Sequence, residues 1–184
     1  MRNWLRNFPE DEEGTNLRGE AFRRLVRLCA GRADELTLMH LVDETEQSAT
    51  PLEEALAPWV AGTTKTDSWF GYGEGSTPKL VFRCPVTEGL LALLFARYDD
   101  IFLTSDPERG SGWEMGVLED LCFFENGRLF FGSVSHETEC FLWPLDEEMR
   151  REAERLDRWE PIDWRDERSR IALTDYDWTM NEKK

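Results

Sequence analysis

The chain has 184 residues, 40% hydrophobic and 12% aromatic, with a net charge of −16 at pH 7. That length suits one domain, and eight tryptophans argue for an ordered core and against a disordered chain. The best apolar run, Leu90 to Ala96, falls far short of the roughly 20 residues of a membrane helix, and no apolar stretch follows the first arginines as in an export signal. The expectation is a cytoplasmic protein. Cys29, Cys84, Cys122 and Cys140 are widely spaced without a C-x-x-C, so reduced, buried thiols are expected. Residues 41–147 hold six basic against twenty acidic residues, nearly the whole charge excess. Such a field repels nucleic acid and anionic membranes and accelerates encounter with a basic partner.

In chain order, Asn16 to Ala30 reads as a helix, with Asn16 as cap and Gly31 as stop. Leu36 to Val42 is a short apolar stretch, strand or helix end. Pro51 to Trp59 reads as a second short helix with proline at its start. "KTDSWFGYG" and "PKLVFRCP" are strand-like runs separated by the turn formers "EGSTP". Thr87 caps "EGLLALLFAR", apolar almost all round and expected to be buried on more than one side. "YDDIFLTSDP" returns to strand character.

Asn126-Gly127 between two apolar runs is the clearest local signal. Both central residues of a type I′ hairpin need positive φ, which this pair tolerates. The register then pairs Glu125 with Arg128, Phe124 with Leu129, Phe123 with Phe130, Cys122 with Phe131 and Leu121 with Gly132. Both faces of this hairpin are apolar, so it should be covered on both sides. "CFLW" follows, making Ser135 to Glu139 a tight connection between antiparallel strands. "EEMRREAERLDRW" carries a helical stripe of Met149, Ala153, Leu156 and Trp159. The expected fold is a single α+β domain over 1–184. It has a mainly antiparallel central sheet, helices toward both ends and one inserted apolar helix. Segments 1–15 and 179–184 are expected to be poorly ordered.

Several constellations bear on chemistry. His136 is followed by Glu137, but adjacent strand residues point to opposite faces, so Glu137 is poorly placed to orient the imidazole unless the turn twists it round. His136, Cys140 and Cys122 are the nearest approach to a zinc set, at a spacing that matches no zinc pattern. "GYGEGS" has the glycine density of a phosphate loop but lacks lysine and precedes a strand. Asp99, Asp100, Asp106, Glu108, Glu114, Glu119 and Asp120 are the densest carboxylates, in a region almost without the cations a nuclease needs for phosphate. No metal, cofactor or catalytic residue is therefore expected. A solvated acidic patch is, with Asp99, Asp100, Glu114 and Glu137 as partner-binding carboxylates and Trp69 or Trp113 as exposed anchor.

The order W-F-G at Trp69 to Gly71, an apolar helix, Y-D-D-I-F at Tyr98 to Phe102, then "DLCFFENG" and a strand ending S-H-E resembles small bacterial immunity proteins that neutralise polymorphic or contact-dependent toxins. The resemblance covers about residues 67–143. It implies a cytosolic, non-enzymatic, acidic protein that blocks a basic toxin domain, often a nuclease, by direct binding. Two other readings stand beside it: a hydrolase using clustered carboxylates and His136, and a nucleic-acid mimic.

Overall fold

The computed structural model describes residues 4–7, 17–42, 51–103, 118–162 and 171–181; of 51–53 only the backbone is described. Among the described residues it is a single-sheet α+β fold. The strands are β1 (Trp4–Asn7), β2 (Glu35–Leu41), β3 (Gly62–Thr66), β4 (Lys79–Pro85), β5 (Glu119–Glu125), β6 (Arg128–Val134), β7 (Glu139–Leu142), β8 (Glu160–Ile162) and β9 (Thr179–Met180). They form one sheet in the order β8-β1-β7-β6-β5-β2-β4-β3-β9, antiparallel throughout. The helices are α1 (Gly19–Ala30), α2 (Pro51–Leu56), α3 (Glu88–Arg97) and α4 (Glu147–Leu156).

The β5–β6 hairpin forms where Asn126-Gly127 predicts it, with φ of 50° and 71° at the two turn residues. Glu125 pairs with Arg128 and Phe124 with Leu129, as expected. Beyond them the register departs from the sequence reading: Phe123 pairs with Phe131 and Cys122 with Gly132. Phe130 is the extra residue of a β-bulge, and its carbonyl accepts from Trp143 N at 2.6 Å. Both faces are covered: Leu121 to Phe124 and Leu129 to Phe131 are wholly buried.

Direct pairing aligns Gly132, Cys122, Thr37, Arg83 and Gly62 across β6, β5, β2, β4 and β3, so these residues share one face. An aromatic layer lies on that face. Phe70 packs on Gly132, Trp69 lies 6.3 Å from Phe124 and 4.7 Å from Tyr176 between ring centroids, and the Arg83 guanidinium sits over Trp178. Trp4 and Phe141 extend the layer by contact with Phe70. The amphipathic α1 buries Phe22, Leu25, Val26 and Cys29. Arg24 reaches Glu152 of α4, and Phe22 meets Phe95 of α3 edge to face.

Local chemistry explains most boundaries. Thr87 Oγ1 accepts from Leu90 N to cap α3, and Asp146 Oδ1 accepts from Met149 N to cap α4. The α3 helix buries Leu90, Leu91 and Leu94 but leaves Ala92 and Ala96 exposed, so it is covered on one side. Tyr98 to Leu103 is a turn and not a strand; its carbonyl at Asp99 instead accepts from Gly19 N at 2.8 Å, fixing the start of α1. Two strands fall within the segments expected to be poorly ordered. Trp4–Asn7 is a strand held between β7 and β8, and Thr179–Met180 pairs with β3. The expected cap Asn16 lies outside the described residues. No described helix is long and apolar enough to cross a membrane.

A Cβ built on Gly132 would lie 2.5 Å from the Phe70 ring. Gly132→Ala is therefore expected to lower unfolding free energy by about 1–3 kcal/mol through overpacking. Urea denaturation checks this, with loss of the near-ultraviolet signal of the aromatic layer as a second reading.

Candidate functional site

The loop after β3 folds back over the sheet. Trp69 and Tyr72 close a turn, with Tyr72 N donating to Trp69 O at 2.8 Å. Gly71 makes the approach possible: its φ is +82°, and a Cβ there would lie 2.7 Å from Val134 Cγ2. The loop thereby delivers Tyr72 to the end of β6. Its hydroxyl meets His136 Nδ1 at 2.8 Å, and the two rings lie 4.8 Å apart.

His136 sits in a 3-10 turn, Ser135–Glu137, closed by Thr138 at φ 55°. Strand alternation does not apply inside this turn. Glu137 Oε1 consequently lies 3.4 Å from His136 Nε2: the turn twists Glu137 round, the exception that strand alternation leaves open. Burial lowers the His136 pKa and the nearby Lys79 charge adds to the effect, against an opposing pull from Glu137. The imidazole tautomer sets the direction of this bond: with the proton on Nε2 the phenol donates to Nδ1, and with the proton on Nδ1 the phenol oxygen accepts.

Two acidic residues lie beneath this pair. Asp120 is wholly buried at φ 52°, the left-handed region. Its Oδ1 accepts from Ser135 N at 2.6 Å, and its own N–H donates to Ser135 Oγ at 3.2 Å. Burial pushes the Asp120 carboxyl up to about 7, and the neighbouring Glu119 adds to this; hydrogen bonds from Ser135 and Tyr72 pull the other way. Glu119 is itself buried. Burial raises the Tyr72 phenol far above its ordinary range, and Asp120, Glu119 and Glu137 reinforce the shift. The phenol therefore stays protonated.

Lys79 closes the cluster at the head of β4. It is buried, with Nζ donating to Ser76 Oγ at 2.6 Å and Thr77 O at 2.7 Å and lying 4.1 Å from the centre of the Tyr72 ring. Burial lowers its pKa, opposed by Asp67 and Asp120. The loop is pinned again at Asp67, whose Oδ2 accepts from Gly75 N at 3.0 Å and whose carbonyl accepts from Ser76 Oγ. The exposed acidic residues around the cluster are Asp67, Glu74 and Glu137.

Two expected partner-binding residues are corrected by burial. Trp69 is 2% exposed inside the aromatic layer and is no surface anchor. Asp100 is 1% exposed, and its Oδ1 accepts from Phe102 N at 2.9 Å to hold the turn after α3. Asp99 and Glu137 are exposed, at separate places in the chain. Trp113, Glu114, Asp106 and Glu108 lie outside the described residues. The four thiols are buried and unbridged, and burial raises the pKa of each, that of Cys84 to about 12. Among the described residues no group of three or more His, Cys, Asp or Glu side chains is placed to hold a metal ion.

Tyr72 and Lys79 are not singled out by the sequence reading; Asp120 stands there among the densest carboxylates and Ser135 at the start of the strand connection, without the bonds that join them. Comparison with known proteins finds no matching family model, curated protein or solved structure.

The raised Asp120 pKa has a definite sign. Between the ordinary 3.8 and about 7 the folded protein holds a proton that the unfolded chain releases. This group's contribution is full below about pH 4 and is lost as pH rises through about 7, a change on the order of a few kcal/mol. Asp120→Asn keeps the acceptor for Ser135 N and tolerates the left-handed φ. It is expected to flatten the stability profile between about pH 4 and about pH 7 and to gain stability above that range. Denaturant titrations of both proteins at a series of pH values measure the difference.

Proposed function

We infer that the chain is a non-enzymatic binding protein that neutralises a basic toxin domain, such as a nuclease, by direct complex formation in the cytoplasm. One observation carries this reading. His136, the residue best placed for acid–base work, has Tyr72 at one ring nitrogen and Glu137 near the other. A general base needs a nitrogen directed at substrate, and a nucleophilic phenol needs a lowered pKa. Here Tyr72 is shifted upward and the buried carboxylates are turned inward. The cluster reads as a clasp that shapes a surface, and the chemistry on offer at that surface is negative charge.

The charge supports the same reading. Asp67, Glu74 and Glu137 are exposed beside a rigid aromatic pair, on a chain carrying −16. Aromatic groups held in one geometry lose little entropy on contact, and surrounding carboxylates steer a basic partner toward them. The W-F-G segment of the immunity-protein resemblance is the part of the loop that delivers Tyr72. The alternation of buried and exposed acids gives no phosphate-like row, which disfavours nucleic-acid mimicry.

The test is co-expression with a basic toxin domain such as a nuclease. The wild-type chain is expected to rescue growth and to co-purify with the toxin domain. Reversing Asp67, Glu74 and Glu137 together to lysine is expected to slow association about tenfold or more at low salt, with a smaller effect at high salt. Stopped-flow fluorescence reads the rate. Failure of the wild-type chain to rescue or to bind would overturn the reading.

A further inference from the structure

Glu137, His136, Tyr72 and Asp120 run in a chain from the surface to the core. His136 Nε2 faces Glu137 Oε1 at 3.4 Å, and its Nδ1 meets the Tyr72 hydroxyl at 2.8 Å. That hydroxyl also lies near enough to Asp120 to favour its charged form. Asp120 Oδ1 is taken by Ser135 N, whereas its buried Oδ2 makes no hydrogen bond among the described residues. A phenol has one proton to donate, so Tyr72 serves one of its two neighbours at a time.

These positions admit two directions of donation. With a proton on Asp120, its O–H donates to the Tyr72 oxygen, Tyr72 donates to His136 Nδ1, and His136 Nε2–H is directed at Glu137. With Asp120 ionised, Tyr72 donates inward to the carboxylate, a charge-assisted bond. The Tyr72 oxygen then accepts from His136 Nδ1–H, and the bare Nε2 lone pair faces the Glu137 carboxylate. Two acceptors repel, and the Glu137 side chain, 65% exposed, has solvent to turn into. The protons balance: one leaves Asp120 for solvent, and the imidazole loses its Nε2 proton to water and takes one from water at Nδ1.

We propose that Asp120, Tyr72 and His136 form a proton-operated switch, in which loss of one buried proton reverses the hydrogen-bond chain and releases Glu137 at the surface. The switch works whether or not the chain binds a toxin. The groups facing Asp120 are Glu119 and Cys122 on its own strand, Tyr72 from the loop, Lys79 from β4, and His136 and Glu137 from the turn; Asp67 in turn faces Lys79. Tyr72 and Cys122 are pushed upward and stay protonated. Burial lowers His136, so the imidazole is neutral where Asp120, raised to about 7, changes charge.

The chain has two histidines, His40 and His136, so nitrogen NMR of the full chain labelled at histidine reads each ring separately. His136→Gln assigns the signals, and carbon NMR follows the Asp120 carboxyl. From about pH 5 to about pH 9, the His136 proton is expected to move from Nε2 to Nδ1 with the same midpoint as the Asp120 carboxyl. This wild-type measurement needs no change in the residues of the switch. Asp120→Asn is expected to keep the proton on Nε2 throughout, since its amide donates to Tyr72 as the protonated acid does. Tyr72→Phe keeps the ring and is expected to uncouple His136 from Asp120. Four results would each overturn the proposal: an Asp120 carboxyl already ionised at about pH 5, His136 nitrogens unchanged while Asp120 titrates, the same tautomer change in Asp120→Asn, or coupling that survives in Tyr72→Phe.

Discussion

A missing methyl group organises much of this molecule. Phe70 lies flat on β6 because residue 132 is glycine; any side chain there would occupy the volume of the ring. The consequences run outward from that contact. Phe70 holds the loop down, Trp69 beside it covers Phe124, and Gly71 turns tightly enough against Val134 for Tyr72 to reach His136. Aromatic pairs of this kind contribute about 0.5–1.5 kcal/mol each beyond their burial. Their geometry matters as much as their energy, since the polar cluster and the aromatic layer share the same short segment of chain.

How much of this the sequence discloses depends on the range of the interaction. The Asn126-Gly127 hairpin was legible because its turn chemistry is local. So were the α3 and α4 caps at Thr87 and Asp146, set by side chains three residues from their targets. The bulge at Phe130 was not, because its carbonyl bonds Trp143, just past the end of β7. Trp69 and Asp100 were read as exposed since polar or loop-like neighbours surround them in sequence. Trp69 is buried by Tyr176 and Trp178, more than a hundred positions away, and Asp100 by the turn it holds. Tyr72 and His136 are 64 residues apart, and no periodicity links them. The first and last strands were missed because four and two residues are too few for an alternation pattern to show.

The acidic residues divide by environment. Asp100, Glu119 and Asp120 are inside, Asp100 and Asp120 bonded to the backbone; Asp67, Glu74, Asp99 and Glu137 are outside. The arginines of the helical side have acidic neighbours: Arg24 with Glu152, Arg27 with Glu88, and Arg32 with Asp146. Exposed pairs of this type contribute little stability. Their larger effect is on the field, since they neutralise charge on the helical side.

The position of β1 has a consequence for the order in which the protein is assembled. Trp4–Asn7 leaves the ribosome early, yet its two neighbours in the sheet are Cys140–Leu142 and Glu160–Ile162. Until those are synthesised, Trp4 and Leu5, both wholly buried at the end, have no strand to join. Contacts this distant are slow to close, and an early apolar segment left waiting is one a chaperone would shelter. The nascent chain can form its β2–β4 and β5–β6 pairs as it emerges, while the far side of the sheet is completed only after the α4 region is free, with the oldest strand among the last to be locked in place.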